Sequence, residues 1–200
     1  LPNMSLEKFY DLLYEQDDLI GQFNHPGKKF GTFNDFKYSD HGDYVMSLIE
    51  VGNGYSKDMS KNIRSHDMYQ LALDNGWHLA PTCNQDNHRV DFGIANEFRT
   101  VILATEDALY DSLRNMRVYA TEDKNIKIDY SINNLPMGST IKNTSKLNFN
   151  ISAIDSDEND KIDEIQVISN NGEIIKSKTF NSNLAKLEFT LKSNKNKFYY

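Results

Sequence analysis

The chain has 200 residues, 38% of them hydrophobic and 26% charged, enough apolar side chain to bury one sizeable core or two smaller ones. Its 22 basic and 29 acidic residues give a net charge of −7, which argues against a nucleic-acid duplex or an anionic membrane as the main partner. The single cysteine, Cys83, excludes an internal disulfide framework, and runs such as Val101-Ile102-Leu103-Ala104 are too short to span a bilayer.

In chain order, Ser5 is placed to cap a helix whose apolar residues Leu6, Phe9, Tyr10, Leu12 and Leu13 share one broad face. Leu19–Asn24 reads as a short strand ending at His25-Pro26, and Tyr44–Val51 as a second, closed by Gly52-Asn53-Gly54. A helix is expected from about Ile63, with Met68, Leu71 and Ala72 inward and Gly76 at its C′ position. Trp77–Thr82 and Arg99–Ala104 are further buried-strand candidates around a polar loop. Thr105 is placed to cap a helix over Glu106–Arg114, before a last strand at Val118-Tyr119-Ala120. Strands alternating with helices predict an α/β layer or barrel of parallel strands with helical crossovers.

After about Lys124 the pattern changes to period-two alternation, as in Leu147-Asn148-Phe149-Asn150-Ile151 and Leu187-Glu188-Phe189-Thr190-Leu191. Asn171-Gly172 between two such runs is a hairpin signal, because both residues tolerate positive φ. These features predict a first domain over residues 1–124 and a small antiparallel, Ig-like β-sandwich over 125–200, interrupted at its C-terminal end.

All five histidines lie in the first part. In Asn84-Gln85-Asp86-Asn87-His88 an extended loop points Asp86 and His88 the same way, as ligands of one cation require. An Asx turn with a solvent-exposed His88 meets the same pattern. Pro26 is expected to hold His25 extended at a strand end, with Gly27 turning the chain away. Glu50 ends a buried strand and needs a partner there. The glycines near it fit neither the P-loop nor the dinucleotide pattern. His78 reads as a core histidine, His41 and His66 as surface residues, and Cys83 as a small buried thiol. Asp155, Asp157 and Asn159 begin like a calcium loop, but Asp160 and Gln166 stand where that motif needs Gly and Glu, leaving an acidic hairpin loop.

Taken in order, Asn24-His25-Pro26-Gly27, Ile49-Glu50-Val51-x-Asn53, Gly76-Trp77 and Asp86-x-His88 resemble the C-terminal half of a PHP domain, the polymerase and histidinol phosphatase superfamily. Residues 99–121 are similar to the end of that domain in larger bacterial members that continue into a β-sandwich. The resemblance covers residues 19–124. It implies α/β architecture, part of a distorted (β/α)7 PHP barrel followed by a small antiparallel β-sandwich. It implies a divalent metal (zinc, manganese or iron) on His25, Asp86 and His88, with Glu50, Asn53 and Arg89 lining the pocket. The implied chemistry is metal-dependent hydrolysis of a phosphoester in a small phosphorylated substrate. The chain contains no H-x-H, the family's opening motif, so it is expected to supply part of the site, the remainder of the parent chain lying upstream. On this reading the parent is bacterial in type, at the cell surface or secreted. Two other functions stay open: a non-catalytic fragment whose sandwich contacts carbohydrate or protein, and a metal-dependent carbamate or amide hydrolase.

Overall fold

The structure, a computed structural model, describes residues 4–16, 18–194 and 197–200. The chain divides into two compact units, Leu1–Glu122 and Asp123–Tyr200.

In the first unit, α1 (Leu6–Tyr14) is capped by Ser5, whose hydroxyl accepts the Lys8 N–H. Strand β1 (Gly21–Phe23) follows, then α2 (Phe33–Phe36), a single turn whose residues all have positive φ, and α3 (Asp40–Val45). β2 (Met46–Asn53) is buried along almost its whole length, as a strand covered on both faces must be. β3 (Ile63–Arg64), α4 (His66–Asp74), β4 (Ala80–Asn84), β5 (Arg99–Ile102), α5 (Leu109–Arg114) and β6 (Val118–Thr121) complete the unit. β2 pairs in parallel with both β1 and β4, while β3 pairs antiparallel with the last residues of β2. Among the described residues no sheet closes into a barrel.

The last two strands of the unit differ from the parallel arrangement expected of them: β5 and β6 form an antiparallel pair. The six-residue α5 is too short to carry the chain back along β5, so β6 starts beside the end of β5, with Val118 opposite Ile102. The helical turn begun at Thr105 is 3₁₀ over Glu106–Ala108, and the Thr105 side chain makes no cap. α4 also begins later than expected, because Ile63 and Arg64 are drawn into β3. Its buried residues are therefore Tyr69, Ala72 and Leu73, and Met68 and Leu71 are half-buried. Gly76, at φ +101°, ends it in a Schellman arrangement, its N–H on Leu73 O and that of Trp77 on Ala72 O.

The core of this unit is aromatic. Trp77, 2% exposed, packs edge-on to Phe23 and Tyr10 at centroid distances of 5.0 and 5.6 Å, and its Nε1–H donates to Phe36 O. Burying such rings contributes most of the stabilisation a unit of this size has.

The second unit consists of strands β7 (Lys127–Ile132), β8 (Leu135–Pro136), β9 (Lys146–Ile154), β10 (Ile162–Ser169), β11 (Glu173–Ser182) and β12 (Leu184–Lys192). One antiparallel sheet has the order β12-β9-β7-β8, the other is the ribbon β10-β11. Leu147, Phe149 and Ile151 from β9, Leu187 from β12 and Val167 from β10 form one core, as two facing layers do. Asn171 and Gly172, at φ +58° and +71°, turn β10 into β11.

Candidate functional site

Because β1, β2 and β4 run in parallel, their C-terminal ends meet, and polar side chains from each converge there. The centre is Glu50, 4% exposed, on β2 directly after Ile49, the residue that pairs with the end of β1. Its Oε2 accepts the His25 backbone N–H at 2.7 Å and faces His25 Nδ1 at 3.1 Å. Its Oε1 accepts Asn53 Nδ2 at 3.1 Å and Asn84 Nδ2 at 2.9 Å. Four contacts on two oxygens fill the acceptor sites of an ionised carboxylate, so a buried charge is compensated rather than left bare.

A Glu50 carboxylate in this position is matched by a donor at His25 Nδ1. With Glu50 accepting on every side, Nδ1 carries the proton and Nε2 holds the free lone pair in the neutral ring. The imidazole is 31% exposed and lies edge-on to Phe30 at 4.7 Å. Its backbone is not extended as expected before proline; φ is +35°. Bringing both its N–H and its Nδ1 to one carboxylate oxygen curls the residue, and histidine tolerates this region better than most side chains. The buried Ser65 hydroxyl donates to Pro26 O and ties the following turn to the start of α4.

Around Glu50 the network continues outward. Asn84 gives its second Nδ2 contact to Thr82 Oγ1 at 3.2 Å, and Thr82 Oγ1 in turn reaches Gln22 Oε1 at 3.1 Å. On its other side Asn84 Oδ1 lies 3.1 Å from Thr100 Oγ1 of β5. Asn84, Thr82, Thr100 and Gln22 were not singled out by sequence reasoning. For Asn84 a signal was available, a polar residue that ends a buried strand and needs a partner; Gln22, Thr82 and Thr100 lie within their strands and carry no such signal.

The remaining sequence candidates lie elsewhere. Asn53 is buried against Glu50. Asp86 and His88 pair with each other, Oδ1 to Nε2 at 3.2 Å, and His88 is 79% exposed. Arg89 lies over the Tyr55 ring at 4.7 Å, and its N–H donates to Asn87 Oδ1. Among the described residues His25, Asp86 and His88 do not bring three ligand atoms within 4.8 Å of one another. His78 is a surface residue and not a core one, because β4 starts only at Ala80; it pairs with Asp43. His41 pairs with Asp11 at the surface, and His66 opens α4, exposed. Cys83 is buried, and that burial, reinforced by Glu122 and Glu50, pushes its thiol up to about 12.

In the second unit Asp123 joins Asp155 and Asp160, with carboxylate oxygens within 4.8 Å of one another. Such hard oxygen donors suit calcium or magnesium rather than the transition metals that imidazole favours. Asp155 Oδ1 also accepts the Asp157 N–H, the Asx turn of an acidic hairpin loop. Among the described aromatic residues of this unit Phe149 is buried, and Tyr130, Phe180, Phe189, Phe198, Tyr199 and Tyr200 are half-buried.

No protein-family model, curated protein or solved structure matches this chain. No helix among the described residues is long and apolar enough to cross a membrane.

Proposed function

We propose that the first unit supplies part of the site of a PHP-type metal-dependent phosphoesterase, with His25 as an oriented metal ligand. The observation that carries this reading is the His25–Glu50 pair. Ligating imidazoles characteristically donate their second nitrogen to a carboxylate, which fixes the ring and raises its basicity. A strand-end location in a parallel sheet, where ligands of α/β folds collect, supports it as well.

The fit to zinc, manganese or iron is partial. His25 has the chemistry and the tautomer of a ligand, and Asp86 and His88 have the chemistry on the loop after β4. Among the described residues the three do not form one coordination sphere. When bound, a divalent metal in such a site supplies hydroxide from water and offsets charge on the phosphoryl oxygens. The chain's own part is to hold Nε2 of His25 fixed at the rim, through Glu50, while Asn53 and Asn84 hold the carboxylate.

The test is bound zinc, manganese and iron per chain by elemental analysis, alongside phosphomonoester hydrolysis. Metal content that falls in both His25→Ala and His88→Ala and holds in His41→Ala supports the proposal. Equal losses in all three variants, or a chain that takes up none of these metals, overturns it.

A further inference from the structure

We propose that a cavity between α1 and the segment running from α2 to α3 binds a small organic amine through its ammonium group. The cavity measures about 250 Å³, and Glu7, Tyr10 and Asp11 of α1 line it together with Asn34, Lys37 and Tyr38. None of these residues belongs to the network around Glu50. Its volume lies just below the usual range for ligand sites, about 300–1,000 Å³, so the occupant has few heavy atoms.

The observation that asks for an occupant is Tyr10. It is 2% exposed, and its hydroxyl is buried with no hydrogen-bond partner. A polar group left in this way is costly, and native chains seldom keep one without a reason. Long side chains on a helix lean toward its N-terminus, which carries the Tyr10 hydroxyl over the turn that holds Glu7. The Glu7 charge is felt there: after burial, it is the second cause that raises the phenol above its ordinary 10. The hydroxyl thus stands at the cavity wall beside a carboxylate, its hydrogen-bonding capacity unused.

Charge selects the occupant. Glu7 and Asp11 offer two carboxylates against a single ammonium, that of Lys37. Burial, then the charges of Asp43 and Asp40, push the Tyr38 hydroxyl up to about 12, so the negative potential reaches the far side as well. Two tyrosine rings add faces that attract a cation. The pairs already present are open to exchange. Lys37 lies 3.7 Å from Glu7 and is 73% exposed, and His41 takes up Oδ1 of Asp11. An anion would meet both carboxylates, and a neutral alcohol would leave their charge unanswered.

The experiment is a titration of the full chain with n-butylamine at neutral pH, read in backbone 1H–15N spectra, with 1-butanol and butyrate as neutral and anionic matches. Butylamine is expected to shift the amides of Glu7, Asp11, Asn34 and Tyr38 saturably, and the other two to shift none of them. Glu7→Gln and Tyr10→Phe are each expected to weaken butylamine binding about tenfold, the scale of one hydrogen bond to a charged group. Lys37→Met removes the competing ammonium and is expected to tighten it. Asp67→Asn, at the exposed start of α4, is expected to leave it unchanged. Without amine, Tyr10→Phe is expected to melt above wild type, because the unpaired hydroxyl is gone; a hydroxyl that served the fold would give the opposite sign. No saturable butylamine shift, equal shifts from butanol, or unchanged affinity in Glu7→Gln or Tyr10→Phe overturns the proposal. So does a loss in Asp67→Asn equal to that in Glu7→Gln, or a Tyr10→Phe chain that melts below wild type.

Discussion

Asp43 holds His78 twice: Oδ1 accepts the His78 backbone N–H at 2.7 Å, and Oδ2 lies 2.8 Å from Nδ1. The hydrogen bond to Asp43 raises the imidazole above its ordinary 6.5, with burial opposing and the Asp43 charge adding to the rise. A group raised on folding stabilises the fold fully below 6.5 and loses that contribution as pH climbs through the folded value. His78 is 56% exposed, so solvent screening keeps the effect below about 1 kcal/mol. Asp43→Asn is therefore expected to lower the thermal midpoint most at mildly acidic pH, the deficit shrinking toward alkaline pH. A deficit constant across that range, measured by thermal unfolding, would assign Asp43 a purely neutral hydrogen-bonding role.

Cys83 should be inert while the chain is folded. Thiol chemistry needs the thiolate, and burial has moved this group up to about 12. Native protein is expected to resist iodoacetamide for a period in which the urea-unfolded chain labels completely. The packing behind this is tight, since a Cβ built on Gly52 would overlap the Cys83 sulfur. Gly52→Ala is expected to cost about 1–3 kcal/mol, with part of the loss recovered when Cys83→Ala is added. Additive losses in denaturant melts would show that the strand adjusts without the sulfur.

What could be read from the sequence was whatever has a period or a local rule. The alternation of Leu147, Phe149 and Ile151 announced β9, and the capping residues Ser5 and Gly76 marked helix ends that the structure keeps. The burial of β2 and the need of Glu50 for a partner were legible too, but the strand runs on past Glu50 through Gly52 to Asn53, where a turn was expected. What hid was decided by partners far along the chain. Ile63 and Arg64 join β3 only because Asn53 and Gly52 are there to pair with them, and the helix that follows buries Tyr69, Ala72 and Leu73. Asn84 and Thr100 carry no motif, and their importance exists only in contact with Glu50 and with each other. Asp123 joins Asp155 from another segment entirely, so spacing alone could not bring them together.

The turn between β10 and β11 rests on two left-handed residues, and they are not equivalent to substitution. Asparagine is among the few side chains that enter this region readily, whereas a β-branched residue there meets its own backbone. Gly172, at φ +71°, is expected to tolerate alanine poorly and valine worse, with about 1–2 kcal/mol lost in Gly172→Val. Asn171→Gly should be close to neutral. Thermal unfolding of the three variants checks the order, and a neutral Gly172→Val would mean that the hairpin has taken up another turn.

Asp155 offers the opposite pH signature from an ordinary paired carboxylate. The Asp157 N–H favours its charged form, but burial and the like charges of Asp123 and Asp160 outweigh that and raise it above 3.8. A carboxylate raised on folding stabilises the fold while protonated and ceases to as pH rises through its folded value, leaving three like charges in close approach. Asp155→Asn keeps the Oδ1 acceptor for Asp157 and removes one charge. The variant is expected to match wild type at acidic pH and to unfold at higher temperature than wild type near neutrality, the gap opening as pH rises. Scans across that range test the sign: a variant less stable at neutral pH would mean that the Asp155 charge is itself held by a partner and that the repulsion has been relieved.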